Sequence, residues 1–348
     1  MSLPRLYIPA LAIGLLAAPA IEAQIPILNL PRESQGASVS QTVGLTRISV
    51  AYHRPAVKGR KIWGELVPFD AVWRAGANEN TILTVTSPFQ IGGTRLPAGS
   101  YGMHLIPSAT TWTMILSREA NAWGSFSYSA KEDALRFQLT PKPADFQEYL
   151  QYTFEDPTDS SVRLTLHWEK LAGALSLAIP TNQVVLDSIT HQLRDLPYFF
   201  GESWAEGARW ALQHNNLAAA APWADSALKR QVSFRNQRLK AMVLERQGDA
   251  AGAESLRQES MALAAEPDIN ALGYEALTAG KTEEAIKLFQ RNVRDYPKSW
   301  NVWDSLAEAY AKKGDKRQAL VNYQKALDMV ADETHKTRIR GAIAGLRT

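Results

Sequence analysis

The spacing of apolar residues divides the chain into two parts with different predicted secondary structure. From about Ser38 to Ala178, short β-branched and aromatic stretches alternate with Gly, Pro, Asn and Asp, which is typical of many short strands. Gly92 and Gly93 predict a tight hairpin, because a primed turn needs positive φ angles that glycine adopts at little cost. Eight or more strands indicate an antiparallel β-sandwich or barrel. The predicted strands are Thr81–Thr86, Phe89–Leu96, Ser100–Ile106, Thr111–Leu116, Ala134–Leu139, Tyr149–Phe154, Val162–Trp168 and Ala174–Ile179.

A helical period begins beyond the predicted boundary at Pro180 to Asn182. There, turn residues and alanines form two columns that both repeat at intervals of 33, 32 and 34 residues. Each turn is followed by a candidate N-cap, whose side-chain oxygen can accept a hydrogen bond from an unpaired backbone N–H. Each unit is therefore predicted to be a helical hairpin. The turn column is Asn215, Gly248, Gly280 and Gly314, the alanine column is Ala220, Ala253, Ala285 and Ala319, and the N-cap column is Asn216, Asp249, Thr282 and Asp315.

The last two hairpins, from about Asp268 to Ala331, are the most regular. The first of these two hairpins has a set of small residues, large apolar residues and a proline at characteristic spacings. They are Leu272, Gly273, Gly280, Ala285, Phe289 and Pro297. This pattern resembles the tetratricopeptide repeat (TPR) family, although Arg257 occupies an expected aromatic position in the preceding unit. The resemblance implies a TPR-like α-solenoid over residues 183–332, with residues 333–348 as a capping helix. The alternative is a plain helical bundle with chance periodicity.

The N-terminus has the features of a secretory signal peptide. Arg5 precedes an apolar run from Leu6 to Ala18, and small residues follow it. The run is shorter than the roughly 20 residues that span a bilayer. We predict that residues 1–23 are a signal peptide cleaved after Ala20 or Ala23, which leaves a periplasmic or secreted chain with no membrane span. An uncleaved membrane anchor is the alternative.

The amino-acid composition excludes several kinds of binding and catalytic site. The 348 residues include no cysteine, which excludes disulfides, thiolate zinc sites and a cysteine nucleophile. A formal charge of +3 is small beside 38 basic and 35 acidic residues, so nucleic acid is not a predicted partner. His53, His104 and Glu79 could converge on a metal if their strands were neighbours, but their spacing does not require it. We predict neither a metal site nor a cofactor.

One segment of the β-rich part is dense in functional residue types. It contains His53–Pro55, Lys58–Arg60, Ile62–Gly64, Leu66–Pro68 and Val72–Glu79, and Leu96–Tyr101, Ile106–Pro107 and Trp123–Gly124 follow further along the chain. These residues resemble domain of unknown function 2911, and the resemblance covers about residues 30–180. It implies a β-domain that is often exported and is sometimes fused to helical repeats, with no assigned activity.

Cations and tryptophans in this segment suggest a binding site. Guanidinium groups could clamp an anion or a carboxylate, unless Arg74 pairs with Glu79 and the other cations lie on a solvated loop. Trp63 and Trp73 could stack on a flat ligand, unless they fill the end of the barrel. The candidate ligand-binding residues are Arg54, Lys58, Arg60, Trp63, Trp73, Arg74, Asn78, Glu79 and His104, and no catalytic residue is assigned.

Three functions are compatible with the sequence. The leading one is an exported binding and assembly protein, whose helical array binds a protein or peptide and whose β-domain binds a small or cell-envelope ligand. The first alternative is an envelope hydrolase or lyase with Arg74, Asn78 and Glu79 at its site, which a raised pKa of Glu79 would favour. The second is a purely structural β-domain, which full burial and internal hydrogen bonding of these residues would favour.

Overall fold

Strands and helices occupy separate halves of the chain. The computed structural model describes residues 30–347, so the predicted signal peptide at residues 1–23 lies outside the described residues. The strands are β1 (Gln35–Val43), β2 (Thr46–Arg54), β3 (Thr81–Val85), β4 (Phe89–Ile91), β5 (Thr94–Leu96), β6 (Gly99–Pro107), β7 (Trp112–Ser117), β8 (Asp133–Leu139), β9 (Lys142–Glu155) and β10 (Ser161–Ala178). The α-helices are α1 (Thr181–Gln192), α2 (Gly201–Gln213), α3 (Leu217–Arg230), α4 (Phe234–Gln247), α5 (Ala250–Ser260), α6 (Glu266–Thr278), α7 (Thr282–Asp295), α8 (Trp300–Lys313), α9 (Lys316–Met329) and α10 (Glu333–Arg347).

The strands form two antiparallel sheets that pack as a sandwich, as predicted. One sheet has the order β1-β2-β3-β6-β7-β8 and the other has the order β5-β4-β10-β9. Alternate residues of each strand face the shared core, where Leu83 and Leu105 of the first sheet and Leu150 and Leu177 of the second are fully buried. The chain just after β2 also bonds to β9, since Pro55 accepts a hydrogen bond from the amide of Leu150 at 3.0 Å. This link anchors the start of the segment that carries the candidate site.

The predicted hairpin is confirmed, and several strand limits differ from expectation. The stretch Phe89–Leu96, predicted as one strand, is divided into β4 and β5 by the hairpin turn, and β9 begins at Lys142 instead of Tyr149. Gly92 and Gly93 join β4 to β5 with φ angles of 55° and 82°. The two predicted strands at the end of the sandwich are one continuous strand, β10, because it pairs with β9 over most of its length and with β4 near its end. Strands β1 and β2 precede the predicted ones. β1 is a largely exposed edge strand of small polar residues, which carry little periodic signal.

The helices form hairpins that repeat with the predicted period. All four turn residues adopt positive φ, and all four residues of the alanine column are fully buried. Helix α10 packs on the last hairpin through Ile339 and Ile343. Trp303 of α8 is half-buried, and its indole N–H donates to the carbonyl of Pro297 at 3.1 Å. Among the described residues, no helix combines the length and the apolarity needed to cross a bilayer.

Three of the four predicted N-caps are confirmed. The side chains of Asn216, Asp249 and Asp315 accept hydrogen bonds from backbone amides three residues ahead. The prediction for Thr282 is wrong, because Thr282 is the first residue of α7 and Lys281 occupies the cap position. In every unit the cap directly follows the turn residue, and in this unit that position holds a lysine, which has no acceptor atom.

Candidate functional site

A cleft of about 420 Å³ opens beside the segment that joins β2 to β3. We call residues 55–80 the β2–β3 segment. It supplies most of the lining, and the rest comes from the chain before β1, from β10 and from the loop between β7 and β8. The lining residues are Glu33, Ser34, Pro55, Ala56, Lys58, Arg60, Leu66, Val67, Trp73, Arg74, Gly76, Ala77, Asn78, Trp123, Phe126 and Trp168.

The backbone of the β2–β3 segment adopts an unusual conformation. Lys58, Asp70, Ala75 and Asn78 all have positive φ, a region that non-glycine residues seldom occupy. Ala75, at 50°, is fully buried, and its carbonyl accepts hydrogen bonds from Thr81 Oγ1 at 3.1 Å and Tyr152 Oη at 2.9 Å. Such conformations persist where the surrounding structure fixes them, and they concentrate at functional sites.

Arg74 lies in the wall of the cleft, where no described residue acts as its counter-ion. Its Nη1 donates to the carbonyl of Asn78 at 2.7 Å, and its guanidinium carbon lies 5.4 Å from the centroid of the Phe126 ring. Within residues 30–347 it forms no ion pair, so the expected alternative of an Arg74–Glu79 pair is wrong. The reason is local, since the left-handed Asn78 turns its carbonyl toward Arg74 while Glu79 binds Arg32.

Glu79 belongs to a neighbouring depression, not to the cleft. Its carboxylate pairs with Arg32 and lies 3.5 Å from His53 Nδ1. Burial by itself would raise the pKa of Glu79, but the hydrogen bonds from Arg32 and from the backbone hold that pKa below its ordinary value. The raised pKa that would favour a hydrolase is therefore not observed. Asn78, the third residue of that alternative, lines the cleft, and its side-chain amide donates to the carbonyl of Ser34 at 3.1 Å.

His104 lies inside the structure, outside the cleft lining. Strand alternation directs Met103 and Leu105 to the core and His104 to the opposite face, where the loop after β7 covers it. Its Nδ1 is 2.8 Å from Ser125 Oγ, and only 2% of the residue is exposed. Burial lowers the pKa of His104 to about 4, against the opposing charge of Asp133.

His104 therefore does not join His53 and Glu79. In the part of the chain that the structure describes, no group of three or more His, Cys, Asp or Glu side chains could hold a metal ion.

The two candidate tryptophans have different surroundings. Trp63 is buried against Trp112, with ring centroids 4.5 Å apart, and it does not line the cleft. Trp73 stacks on Trp168 at 5.8 Å, and both rings contribute to the cleft wall. Packing therefore explains Trp63, whereas Trp73 takes part in packing and also offers a surface to a ligand.

Two exposed aromatic residues stand at the edge of the cleft. Phe126 is 83% exposed and Trp123 is 54% exposed, which is unusual for side chains of this size. Sequence reasoning missed Phe126, Trp168 and Glu33 as site residues. No periodic signal marks them, because their proximity to the β2–β3 segment arises only when the sheets pack.

The other candidate cations are paired with a carboxylate, bound to nearby backbone carbonyls or placed outside the cleft. Lys58 pairs with Glu33, and Arg60 Nε donates to the carbonyl of Val57 at 3.1 Å. Arg54 does not line the cleft, because its Nε donates to the carbonyl of Leu150 at 2.9 Å. The lining thus contains three cations and a single carboxylate.

Comparison with known proteins separates the two halves of the chain. Residues 34–177, which are 144 of the 348 residues, match the model of a family described as Protein of unknown function (DUF2911). The β-domain is a DUF2911 domain. No significant match was found among curated proteins.

Solved structures similar to this chain match its helical array. MamA is 16% identical, and the match covers 41% of this chain and 80% of that chain with a TM-score of 0.29. The C-terminal part of a TPR repeat-containing protein from Cytophaga hutchinsonii is 13% identical, with coverages of 47% and 64% and a TM-score of 0.34. YrrB, described as a TPR protein with an unusual peptide-binding site, is 16% identical, with coverages of 46% and 83% and a TM-score of 0.30.

The cleft of the DUF2911 domain combines groups suited to one kind of ligand. Arg74 and Arg60 pair with no carboxylate among residues 30–347, and guanidinium groups bind anions through several directed donors. Trp73 and Phe126 add apolar ring surface beside these charges. This arrangement can hold an anionic molecule that also has a flat or apolar part.

Proposed function

We propose that this protein is an exported binding protein, in which the DUF2911 domain binds a small anionic ligand and the helical array binds a protein or peptide. The observation that carries the proposal is Arg74, which is half-buried in an aromatic cleft and has no carboxylate partner within residues 30–347. A charge that is partly removed from water is costly unless it is paired. A ligand anion would provide that pairing.

The shape and exposure of the cleft also support binding. A volume of about 420 Å³ is within the range of small-molecule sites. Phe126 and Trp123 are exposed at its edge, whereas a purely structural role would be served better by burying them. These observations favour a ligand over the structural alternative.

Ligand binding can be tested by thermal-shift screening of the whole chain against anionic metabolites, sugars, cell-wall fragments and divalent metals. A ligand at a hundred times its Kd should stabilise the fold by about 2.7 kcal/mol. We expect an anion to give the thermal shift. The shift should be lost in Arg74→Ala and reduced in Phe126→Ala, since the Phe126 side chain contributes little to the core. Arg95→Ala is the matched control, because Arg95 is an exposed arginine of β5 outside the cleft. A shift that survives Arg74→Ala, or no shift with any anion, would contradict the proposal.

The N-terminal sequence pattern supports export. A cleaved signal peptide predicts that the protein from its native envelope lacks its first 20 to 23 residues, which intact-mass measurement would detect. Retention of Met1 in that material would contradict export and leave both binding proposals standing.

The architecture of the array supports binding of a protein or peptide. Stacked helical hairpins bury surface mainly against their neighbours and leave an extended face free. Probing an unbiased array of immobilised peptides with the labelled full chain tests this role without assuming a peptide class. Reproducible binding to any set of peptides supports it, and the absence of binding to all of them contradicts it.

A further inference from the structure

The apolar contacts that connect successive hairpins are interrupted between the second and third units. In the third unit, Phe289 of α7 is buried in one cluster with Leu306 and Ala309 of the next hairpin. In the fourth, Tyr323 of α9 is buried with Ile339 of α10. Arg257 occupies the same column in α5, four residues after the buried Ala253. A charged side chain therefore stands in α5 at the position where the third and fourth units have a buried aromatic ring.

A groove of about 700 Å³ opens at this interruption, between α2, α4 and α6. Among the described residues, the buried cluster of the first two units ends at Val243, and the next begins at Ala276 with Tyr274 packed against it. Arg257 lies in the groove wall, held by Glu245 and Glu254. The departure from the repeat pattern thus coincides with this groove. We call this opening the array groove.

The array groove carries an excess of positive charge. Five arginines line it, against two carboxylates. Three of the arginines pair with acidic side chains, but Arg238 and Arg246 form no ion pair within residues 30–347. Arg246 Nη1 contacts Asn215 Oδ1 at 3.3 Å, and Arg238 lies over Phe234. The lining arginines are Arg209, Arg235, Arg238, Arg246 and Arg257, and the carboxylates are those of Asp268 and Glu275.

The two unpaired arginines flank an apolar side chain on one face of α4. Arg238, Met242 and Arg246 are spaced by four residues, so they form a single row along the helix. Met242 is 52% exposed, although it lies between two charged neighbours in that row. At about 1.5 Å of rise per residue, the Cα atoms of Arg238 and Arg246 are about 12 Å apart along the helix axis.

We propose that the array groove binds an acidic peptide segment in an extended conformation. At about 3.3 Å per residue, two acidic residues four positions apart span the distance between Arg238 and Arg246, and an apolar residue midway between them meets Met242. The apolar part of the lining favours a peptide over a nucleic acid, which would present phosphates along the whole groove. This inference rests on the proposed peptide-binding role of the array and adds the class of peptide.

The test uses fluorescence anisotropy with the full chain and a labelled peptide that contains Glu-Ala-Leu-Ala-Glu between Gly and Ser residues. We expect saturable binding that weakens with added salt. A peptide with Lys in place of both Glu residues should bind at least tenfold more weakly, and replacement of Leu by Ser should also weaken binding. Equal binding of the Glu and Lys peptides would overturn the inference, as would equally tight binding of a DNA oligonucleotide of the same length.

Variants with the same charge change inside and outside the array groove test whether the peptide binds there. Arg238→Glu combined with Arg246→Glu should weaken binding at least tenfold, whereas Lys316→Glu combined with Arg317→Glu makes the same charge change in α9, outside the groove. Arg257→Phe restores the aromatic column and should close the groove. We therefore expect this variant to lose peptide binding while its unfolding temperature stays at least as high as that of the wild type. Circular dichroism verifies that each variant is folded. Wild-type binding by the Arg238/Arg246 double variant, or by Arg257→Phe, would overturn the inference.

The outcomes separate this inference from the role on which it rests. If neutral or basic peptides bind the chain and acidic ones do not, the array remains a peptide-binding surface and the acidic specificity is wrong. If no peptide of any class binds, both the proposed role of the array and this inference fail.

Discussion

Individual side chains of the DUF2911 domain take their chemical properties from residues that are distant in sequence. Arg74 and Glu79 are five positions apart, yet the left-handed turn at Asn78 directs one into the cleft and the other toward Arg32. Ala75 keeps its positive φ because Thr81 and Tyr152 both bond its carbonyl. The chemistry of the cleft therefore depends on how its backbone is held.

The hydroxyl of Tyr152 should stabilise the fold and the shape of the cleft together. Tyr152→Phe removes a buried hydrogen bond to Ala75 and should lower the free energy of unfolding by about 1–2 kcal/mol, measured by urea denaturation. It should also weaken any ligand that depends on Arg74. Tyr101→Phe is the control, because it removes a similar bond, to the carbonyl of Pro97 at 2.7 Å, outside the cleft lining. Equal effects of both variants on ligand affinity would show that Tyr152 does not position the cleft.

His104 should make stability depend on pH. Its pKa of about 4 in the folded state lies below the ordinary value of 6.5, so the unfolded chain takes up the proton first as the pH falls. The contribution of neutral His104 is fully present above pH 6.5 and is lost progressively toward pH 4, with a total of about 3 kcal/mol. Urea unfolding across this range should show the decline in the wild type and a smaller decline in His104→Gln. Identical pH profiles would contradict this account.

At the scale of the element, the helical hairpins depend on left-handed turn residues and on the caps that follow them. Gly248 and Gly314 end α4 and α8 with φ angles of 90° and 87° and bond back to the preceding turn. The following Asp249 and Asp315 then cap the next helices. A turn residue and a cap in adjacent positions thus end one helix and begin the next, which keeps the connection within each of these two hairpins short.

Two glycine-to-alanine changes should have opposite effects. A Cβ at Gly314 would meet no atom within 4 Å, so Gly314→Ala tests backbone conformation alone and should cost about 1 kcal/mol. Gly341 lies inside α10 with equally open space, and Gly341→Ala should stabilise by about 0.5–1 kcal/mol because alanine favours the helix. Thermal or urea unfolding measures both changes. The same sign for both variants would contradict the assigned helix limits.

At the scale of the whole molecule, helix α1 connects the two halves. Val184 packs against the core of the sandwich, whereas Leu186 and Ile189 pack against the first helical cluster. Thr181 Oγ1 also donates to the carbonyl of Asp159 at 2.8 Å. The junction at residues 180–182, which the sequence predicts as the domain boundary, is therefore packed against the sandwich.

Limited proteolysis should distinguish this packed junction from the chain after α1. Leu196, Tyr198, Phe199 and Phe200 are largely exposed, whereas Ile179 is buried and Thr181 is bonded. We expect cleavage within residues 194–200 to precede cleavage within residues 180–183, and mass spectrometry of the fragments identifies the order. Earlier cleavage at residues 180–183 would mean that α1 does not hold to the sandwich.

The sequence by itself determined the fold class, the hairpin at Gly92 and Gly93, and the period of the helical array. Each of these depends on local φ requirements or on a short period of apolar residues, which neighbouring residues are enough to specify. The sequence also indicated the β2–β3 segment as the place of the candidate site, because the residues of that segment resemble the DUF2911 family.

Only the tertiary structure decided which candidate residues share a cleft. It brought Phe126, Trp168 and Glu33 to Arg74, buried His104 and Trp63, and separated Glu79 from the site. It also showed that Arg257 stands at an interruption of the array. These outcomes depend on contacts between segments that are far apart in the chain, which no local pattern encodes.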